Sequence, residues 1–395
     1  MAGLNPEILK WARETAGLGL DAAARKIALG PARGLTGADR LAEFEAGDEV
    51  PSPTLLKRMA QQYHRPLLTF YMAEVPARVN VGQDFRTLPD RSDPSNALLE
   101  TLLRDVKARQ ALVREALEDD DDVTPVQLVG AEVSTRNAGR LSDALIDAIG
   151  FDREAYRARS SAEEAFSYLR ALVEARGVFV LLAGDCGHWS TAIDVSVFRG
   201  FAIADALAPF VVVNDQDAKS AWSFTLLHEL AHLLLGESGV SGGPPQGAVE
   251  QLCNDTAAAT LISISEIRDL PLEGGVADLR HINALADRAK VSRAMIAYQL
   301  YRAGRITLVV WEGLRDAFQA EWLAKKDRDK ERNRTTDGGP SWYIVRRHRL
   351  GAALLAVARQ GMADGSLTPT RAAKMLGVNP MNVYPLLAET RRVAA

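Results

Sequence analysis

In the run Trp222-Ser223-Phe224-Thr225-Leu226-Leu227-His228-Glu229-Leu230-Ala231-His232-Leu233-Leu234-Leu235-Gly236, two histidines and a glutamate stand among residues that are apolar on nearly every side. A helix of that composition is buried all round. Buried ionisable groups are costly unless they are paired or bound to metal, and no basic residue in the run can pair with Glu229. The His-Glu-x-x-His spacing supplies a reason for them. At i and i+4 the two imidazoles share one face and can bind one Zn²⁺, while Glu229 reaches the metal's water as general base. The competing reading is a pair of core histidines hydrogen-bonded to nearby backbone.

Catalytic zinc sites take three protein ligands and leave a position for water. Glu250 is the first choice for the third. It opens a second helix, Val249-Glu250-Gln251-Leu252-Cys253-Asn254-Asp255, beyond the Gly/Pro-rich loop from Gly236 to Gly247. Asp255 is the next choice, then His281, His188 and Glu237. Spacing leaves these open, because an acidic residue in a first helical turn is also what the helix dipole favours.

The remaining sequence frames that helix. At 395 residues, 47% hydrophobic and 25% charged, the chain has the composition of a globular protein with room for two or three domains. No apolar run approaches the roughly 20 residues that span a bilayer, and MAGLNPEILK lacks a basic-then-apolar leader, so a cytoplasmic location with no membrane partner is expected. Cys186 and Cys253, far apart and in no C-x-x-C arrangement, read as two part-buried thiols.

Capping residues divide the first segment into short helices. Asn5 precedes Pro6 to Arg13, Leu20 to Ile27 resumes after Gly17 and Gly19, Ala38 to Glu45 ends at Gly47, and Thr54 to Tyr63 forms a fourth. Residues 94 to 118 have apolar positions at helical spacing and suggest one long connecting helix. A helix over Ala162 to Ala175 leads into strand-like runs at Val178 to Leu182, Ile193 to Ile203 and Phe210 to Val213, read as a small antiparallel sheet. Beyond it the pattern is helical to the end. The resulting division is 1–76 for the N-terminal helices, 77–150 for a helical linker region, 151–318 for the metal domain and 319–395 for a C-terminal helical domain, an α+β fold that is predominantly helical.

At these residues the chain resembles the ImmA/IrrE family of metallopeptidases, in particular its long members that begin with an XRE-type helix-turn-helix. The likeness is carried by His228-Glu229-Leu230-Ala231-His232, Asp84-Phe85-Arg86-Thr87, Phe198-Arg199-Gly200-Phe201-Ala202-Ile203-Ala204-Asp205, Ala208-Pro209 with Val212-Val213-Asn214, and Glu250 followed by Cys253-Asn254. It implies a zincin-like peptidase domain with His228, His232 and Glu250 as metal ligands and Glu229 as catalytic base. The chain departs from the family pattern at Cys253, usually Ala, and at Ile262-Ser263, where a Pro usually closes the helix. Ala28 to Gly37 also lengthens the turn before the third helix of the N-terminal unit.

The expected function is that of a zinc-dependent endopeptidase fused to a DNA-binding domain. Glu229 would deprotonate zinc-bound water and pass the proton to the leaving amine, with the metal polarising the peptide carbonyl. The strand ending at Val213-Asn214 is expected to hold an extended substrate along its edge, and His188 is a candidate oxyanion donor. The resemblance implies a repressor-like regulatory protein as substrate, with control of stress, phage or mobile-element genes. In a helix-turn-helix reading, Thr36, Asp39 and Arg40 lie near base edges of operator DNA and Arg25, Lys26 and Arg33 near phosphates. Residues 1–75 carry 9 Lys+Arg against 9 Asp+Glu, which suits a protein-binding or dimerising module as well. Residues 320–395 carry 14 against 7, and the basic Arg346-Arg347-His348-Arg349 there reads either as a nucleic-acid patch or as a solvated face of a packing domain. A homodimer is expected from the helix-turn-helix. The alternative to the enzyme is a non-catalytic transcription regulator or antitoxin that binds DNA and a protein partner.

Overall fold

The computed structural model describes residues 3–76, 94–119, 122–188, 191–241, 247–273, 276–277, 279–335 and 340–388. The Asp84-Phe85-Arg86-Thr87 stretch lies outside them. The chain forms two compact units, Met1–Val106 with Asp185–Val197, and Lys107–Gly184 with Phe198–Ala395. No helix among the described residues is long and apolar enough to cross a membrane.

In the first unit, caps set the helices where the sequence placed them. Asn5 accepts a hydrogen bond from the Glu7 amide and Pro6 takes the first position of α1 (Pro6–Thr15). After α2 (Leu20–Lys26), helix α3 (Gly37–Ala46) begins at a Thr36/Asp39 capping box and ends at Gly47 in the left-handed region. Ser52 caps α4 (Pro53–Gln62). Ile8, Leu9, Ala12, Ala23, Ile27, Leu41, Phe44, Met59 and Phe70 close a small core. Gly37 is needed there, since a Cβ would lie 2.1 Å from the Leu29 carbonyl oxygen. The long helix α5 (Pro94–Glu118) carries the chain from this unit into the second.

The second unit opens with α6 (Ala138–Ile149), α7 (Arg153–Arg157) and α8 (Ala162–Glu174). Its sheet contains β1 (Phe179–Leu182), β2 (Gly200–Ile203), β3 (Phe210–Val213) and β4 (Gly239–Ser241) in the order β1-β3-β2-β4. The sheet is mixed, which corrects the antiparallel expectation: β1 pairs parallel with β3, and β2 pairs antiparallel with both β3 and β4. The long segment 183–199 carries β2 past the position beside β1, so the short β2–β3 connection returns β3 between them. Only Gly200–Ile203 of the expected Ile193 to Ile203 strand pairs, and the chain is not wholly helical afterwards, since β4 and the small pair β5 (Leu272–Glu273) and β6 (Val276–Ala277) follow. Every residue of β1, β2 and β3 is buried, and none of the three strands contains a polar side chain.

Across this sheet lies α9 (Lys219–Leu234), packed on β2, β3, α6 and α8 and on α10 (Ala248–Leu261). Helices α11 (Ile264–Arg268), α12 (Leu279–Ala289), α13 (Arg293–Arg302) and α14 (Leu308–Thr335) follow. The end of the chain forms α15 (Trp342–Leu350), α16 (Ala352–Asp364), α17 (Pro369–Leu376) and α18 (Val383–Leu387).

The basic run of α15 is occupied within the protein. Arg346 donates to the Leu376 and Gly377 carbonyls at the end of α17, Arg347 to those of Pro385, Leu386 and Ala388, and Arg349 pairs with Asp215 at 2.7 Å. Beneath it, buried Arg170 of α8 donates to the carbonyls of Val180 and His348 and pairs with Glu174 at 3.1 Å. Glu174 in turn accepts from the Ala352 amide at 2.9 Å at the start of α16. Gly351, at φ 82°, leaves room for this clasp, because a Cβ there would lie 2.1 Å from Glu174 Oε1.

Candidate metal centre

Helix α9 is buried along nearly all its length, and three ionisable side chains are held in the core: Glu229 has no exposed surface, and His228 and His232 are each 3% exposed. One turn apart, the imidazoles bring Nε2 to within 3.2 Å of Nε2. Two nitrogens that close need either a shared proton or a metal ion between them. Glu250 approaches from the first turn of α10 with Oε2 at 3.3 Å from His228 Nε2 and Oε1 at 3.2 Å from His232 Nε2. Among the described residues, these three side chains form the group whose donor atoms converge, all within 4.8 Å of one another.

The spacing has a chemical meaning. Zn–N and Zn–O bonds of about 2.0–2.1 Å arranged tetrahedrally put donors about 3.3–3.4 Å apart; here the two imidazole nitrogens are 3.2 Å apart, and each lies 3.2–3.3 Å from a different oxygen of the Glu250 carboxylate. Two imidazoles and a carboxylate are also a donor set suited to zinc with one position left for water. The residues present therefore fit a single small divalent ion.

The close contacts shift the ionisation of Glu250 and His232 in opposite directions. Burial disfavours the Glu250 carboxylate, yet its contacts to His228 and His232 outweigh this and hold its pKa down to about 2. For His232, burial opposes protonation, but contacts to Cys253, Glu237 and Glu250 prevail and raise its pKa well above the usual histidine value. Glu237 Oε2 stands 3.9 Å from His232 Nδ1, on the side away from Glu250. Buried Cys253 also faces His232, and its thiol is pushed up, chiefly by burial.

Helix α10 is braced at its far end, where the sequence lacks a closing proline. Arg153 donates to the Ala259 and Thr260 carbonyls and Arg157 to that of Leu261, so guanidinium groups satisfy its last turn. Asp255, the second choice for third ligand, points into a different network, pairing with Arg302 at 3.1 Å and accepting from Gln251 at 2.9 Å.

Val213 and Asn214 do not provide a substrate edge. Strand β3 is paired on both sides, with Val213 opposite Leu182 and Gly200, so no backbone donors or acceptors remain for an added strand. Asn214 is wholly buried, donating to the Phe198 carbonyl at 3.0 Å and accepting from the Gln216 amide at 2.9 Å, which makes it the clamp of the turn into α9.

In the N-terminal unit, Thr36 and Asp39 bind each other in the cap of α3, and that cap holds the Asp39 carboxyl below its ordinary pKa. Arg40 donates to the Gly30 carbonyl at 2.7 Å. Arg33, exposed at a turn, pairs with Glu49 at 3.0 Å, while Arg25 and Lys26 are exposed at the end of α2.

One residue of the site went unread in the sequence. Gly200 of β2 faces α9, and a Cβ there would lie 2.6 Å from Thr225 Cγ2 and 2.8 Å from Glu229 Oε1. A lone glycine within an apolar strand is the signal that points to such a close approach.

No curated protein matches the chain. Residues 192–301, which hold His228, Glu229, His232 and Glu250, match the family model described as the IrrE N-terminal-like domain, a metallopeptidase family, and this supports the likeness to ImmA/IrrE proteins over that stretch.

Proposed function

We propose that the chain is a zinc-dependent endopeptidase of the cytoplasm that cleaves a repressor-like regulatory protein, joined to a helix-turn-helix unit that brings it to operator DNA. The observation that carries the peptidase reading is the convergence of His228, His232 and Glu250 at 3.2–3.3 Å with buried Glu229 next in the chain. Zinc held by these three supplies a Lewis acid to polarise the scissile carbonyl and acidify a water. Glu229 accepts the proton of the attacking water and returns it to the leaving nitrogen. Its burial keeps bulk water from competing for the carboxylate. An extended substrate segment pairs with the outer edge of β4, whose inner edge is taken by β2.

For the first unit, the exposed Arg25, Lys26 and Arg33 are the phosphate contacts, and Arg40 the base contact closest to hand. Thr36 and Asp39 act by fixing the start of α3, since their side chains are engaged with each other. A dimer placing two such helices on successive major grooves completes this reading. Light scattering that finds a monomer at micromolar concentration rejects the dimer.

The test begins with metal analysis of the wild type beside His232→Ala and Glu250→Ala. One zinc per chain, lost in both variants, is expected. Cleavage of a co-encoded repressor should then be abolished by Glu229→Gln with DNA binding intact. Regulation unchanged by Glu229→Gln would favour a non-catalytic regulator instead.

A further inference from the structure

Resting on the peptidase reading, we propose that Gly200 is the positioning residue for the general base: the missing side chain on β2 is what admits the Glu229 carboxylate against the sheet. Strand β2 is locked at this point from both sides, with Gly200 opposite Val213 of β3 and Ser241 of β4. Its backbone therefore has little freedom to move away from α9. The space a Cβ would take is bounded by Thr225 Cγ2 at 2.6 Å, Glu229 Oε1 at 2.8 Å and the Val212 carbonyl oxygen at 3.0 Å. Thr225 and Glu229 are successive turns of α9 on one face, so the helix seats on the strand through a methyl group and a carboxylate side by side.

The two metal-binding histidines are fixed by the same helix, but Glu250 comes from α10. The three atoms nearest to a Cβ at 200 include the Glu229 carboxylate and none from the three ligands. The base is displaced while the metal stays, which distinguishes a positioning role from general disruption.

Two measurements on the full chain test this. The first is a thermal cycle. In a Thr225→Ser background, which removes the other side-chain collision, Gly200→Ala should lower Tm by several degrees where Glu229 is present and by much less once Glu229→Ala has removed the colliding carboxylate. The second uses Co²⁺ as the metal probe and reads the visible absorption. Thr225→Ser removes the nearer clash, so Gly200→Ala/Thr225→Ser leaves the carboxylate contact as the one change near the metal. That double variant should bind one Co²⁺ per chain with a spectrum moved to that of Glu229→Gln, while Thr225→Ser alone keeps the wild-type spectrum.

Equal Tm losses in both backgrounds, or a wild-type spectrum in the double variant, would overturn the proposal. If the wild type takes up no Co²⁺, the peptidase reading fails. The thermal cycle then still decides whether Gly200 seats Glu229.

Discussion

Replacing Glu174 by alanine tests whether the basic C-terminal helices are held to the sheet by a buried ion pair. The Arg170 and Glu174 side chains are 7% and 6% exposed, with Nε to Oε1 at 3.1 Å. In Glu174→Ala the guanidinium stays in the core with its charge uncompensated, and the Ala352 amide at the start of α16 loses its acceptor. Removing one member of a buried pair costs about 3–5 kcal/mol. In a unit of this size each kcal/mol moves Tm by roughly 2–4 °C, so a fall of about 6–20 °C is expected. Differential scanning fluorimetry of the full chain reads it directly. Gly351→Ala strikes the same clasp from the other side, because its Cβ would lie 2.1 Å from Glu174 Oε1. It also collides with Arg170 Nη2 at 2.4 Å and is strained at φ 82°, so only part of its loss should overlap with that of Glu174→Ala. A fall of less than about 2 °C in Glu174→Ala would refute the idea that this pair anchors α15 and α16.

Three further outcomes are expected. Burial works against the Glu266 carboxylate, but Arg157 and the Ser263 cap outweigh it and hold the folded-state pKa at about 2. Its unfolded value is higher, so its contribution is complete above about pH 4.5 and lost as pH falls towards 2. Glu266→Gln should flatten that acid limb in urea titrations, and an unchanged limb would rule it out. Zinc at a hundredfold excess over Kd should stabilise the wild type by about 2.7 kcal/mol against chelator-treated protein; His232→Ala should show no response, and an equal response in that variant would place the metal elsewhere. For operator binding, Lys26→Ala and Arg33→Ala should each reduce the slope of log affinity against log salt by about 1. A wild-type chain whose affinity for duplex DNA does not vary with salt would end that reading.

What the sequence revealed was local. Asn5 and Gly47 announce helix ends because a cap is decided by residues within one turn of it. The gathering of His228 and His232 on one face is likewise a matter of helix pitch, and Glu250 is found with them because α10 packs directly on α9. Strand partners were harder to read. β1, β2 and β3 are each four residues long and buried throughout, so none has a polar face to fix which neighbour it takes. β4, three residues beginning with Gly239, has too little pattern to be seen at all. The basic run of α15 looked like a surface patch because the carbonyls that Arg346 and Arg347 bind lie about thirty to forty residues later. No window of helical length contains both partners.

With His228 and His232 on α9 and Glu250 on α10, an ion held by the three would be a gauge of how far apart those helices stand. Two donors ride on one rigid rod, but the third moves with another whose first turn follows a glycine at φ 110° and whose last turn is gripped by Arg153 and Arg157. Any partner that levers the two rods apart must weaken the ion's hold, and by reciprocity the ion must resist that partner to the same degree. The supply of metal would then set how readily this protein yields to whatever binds along that seam.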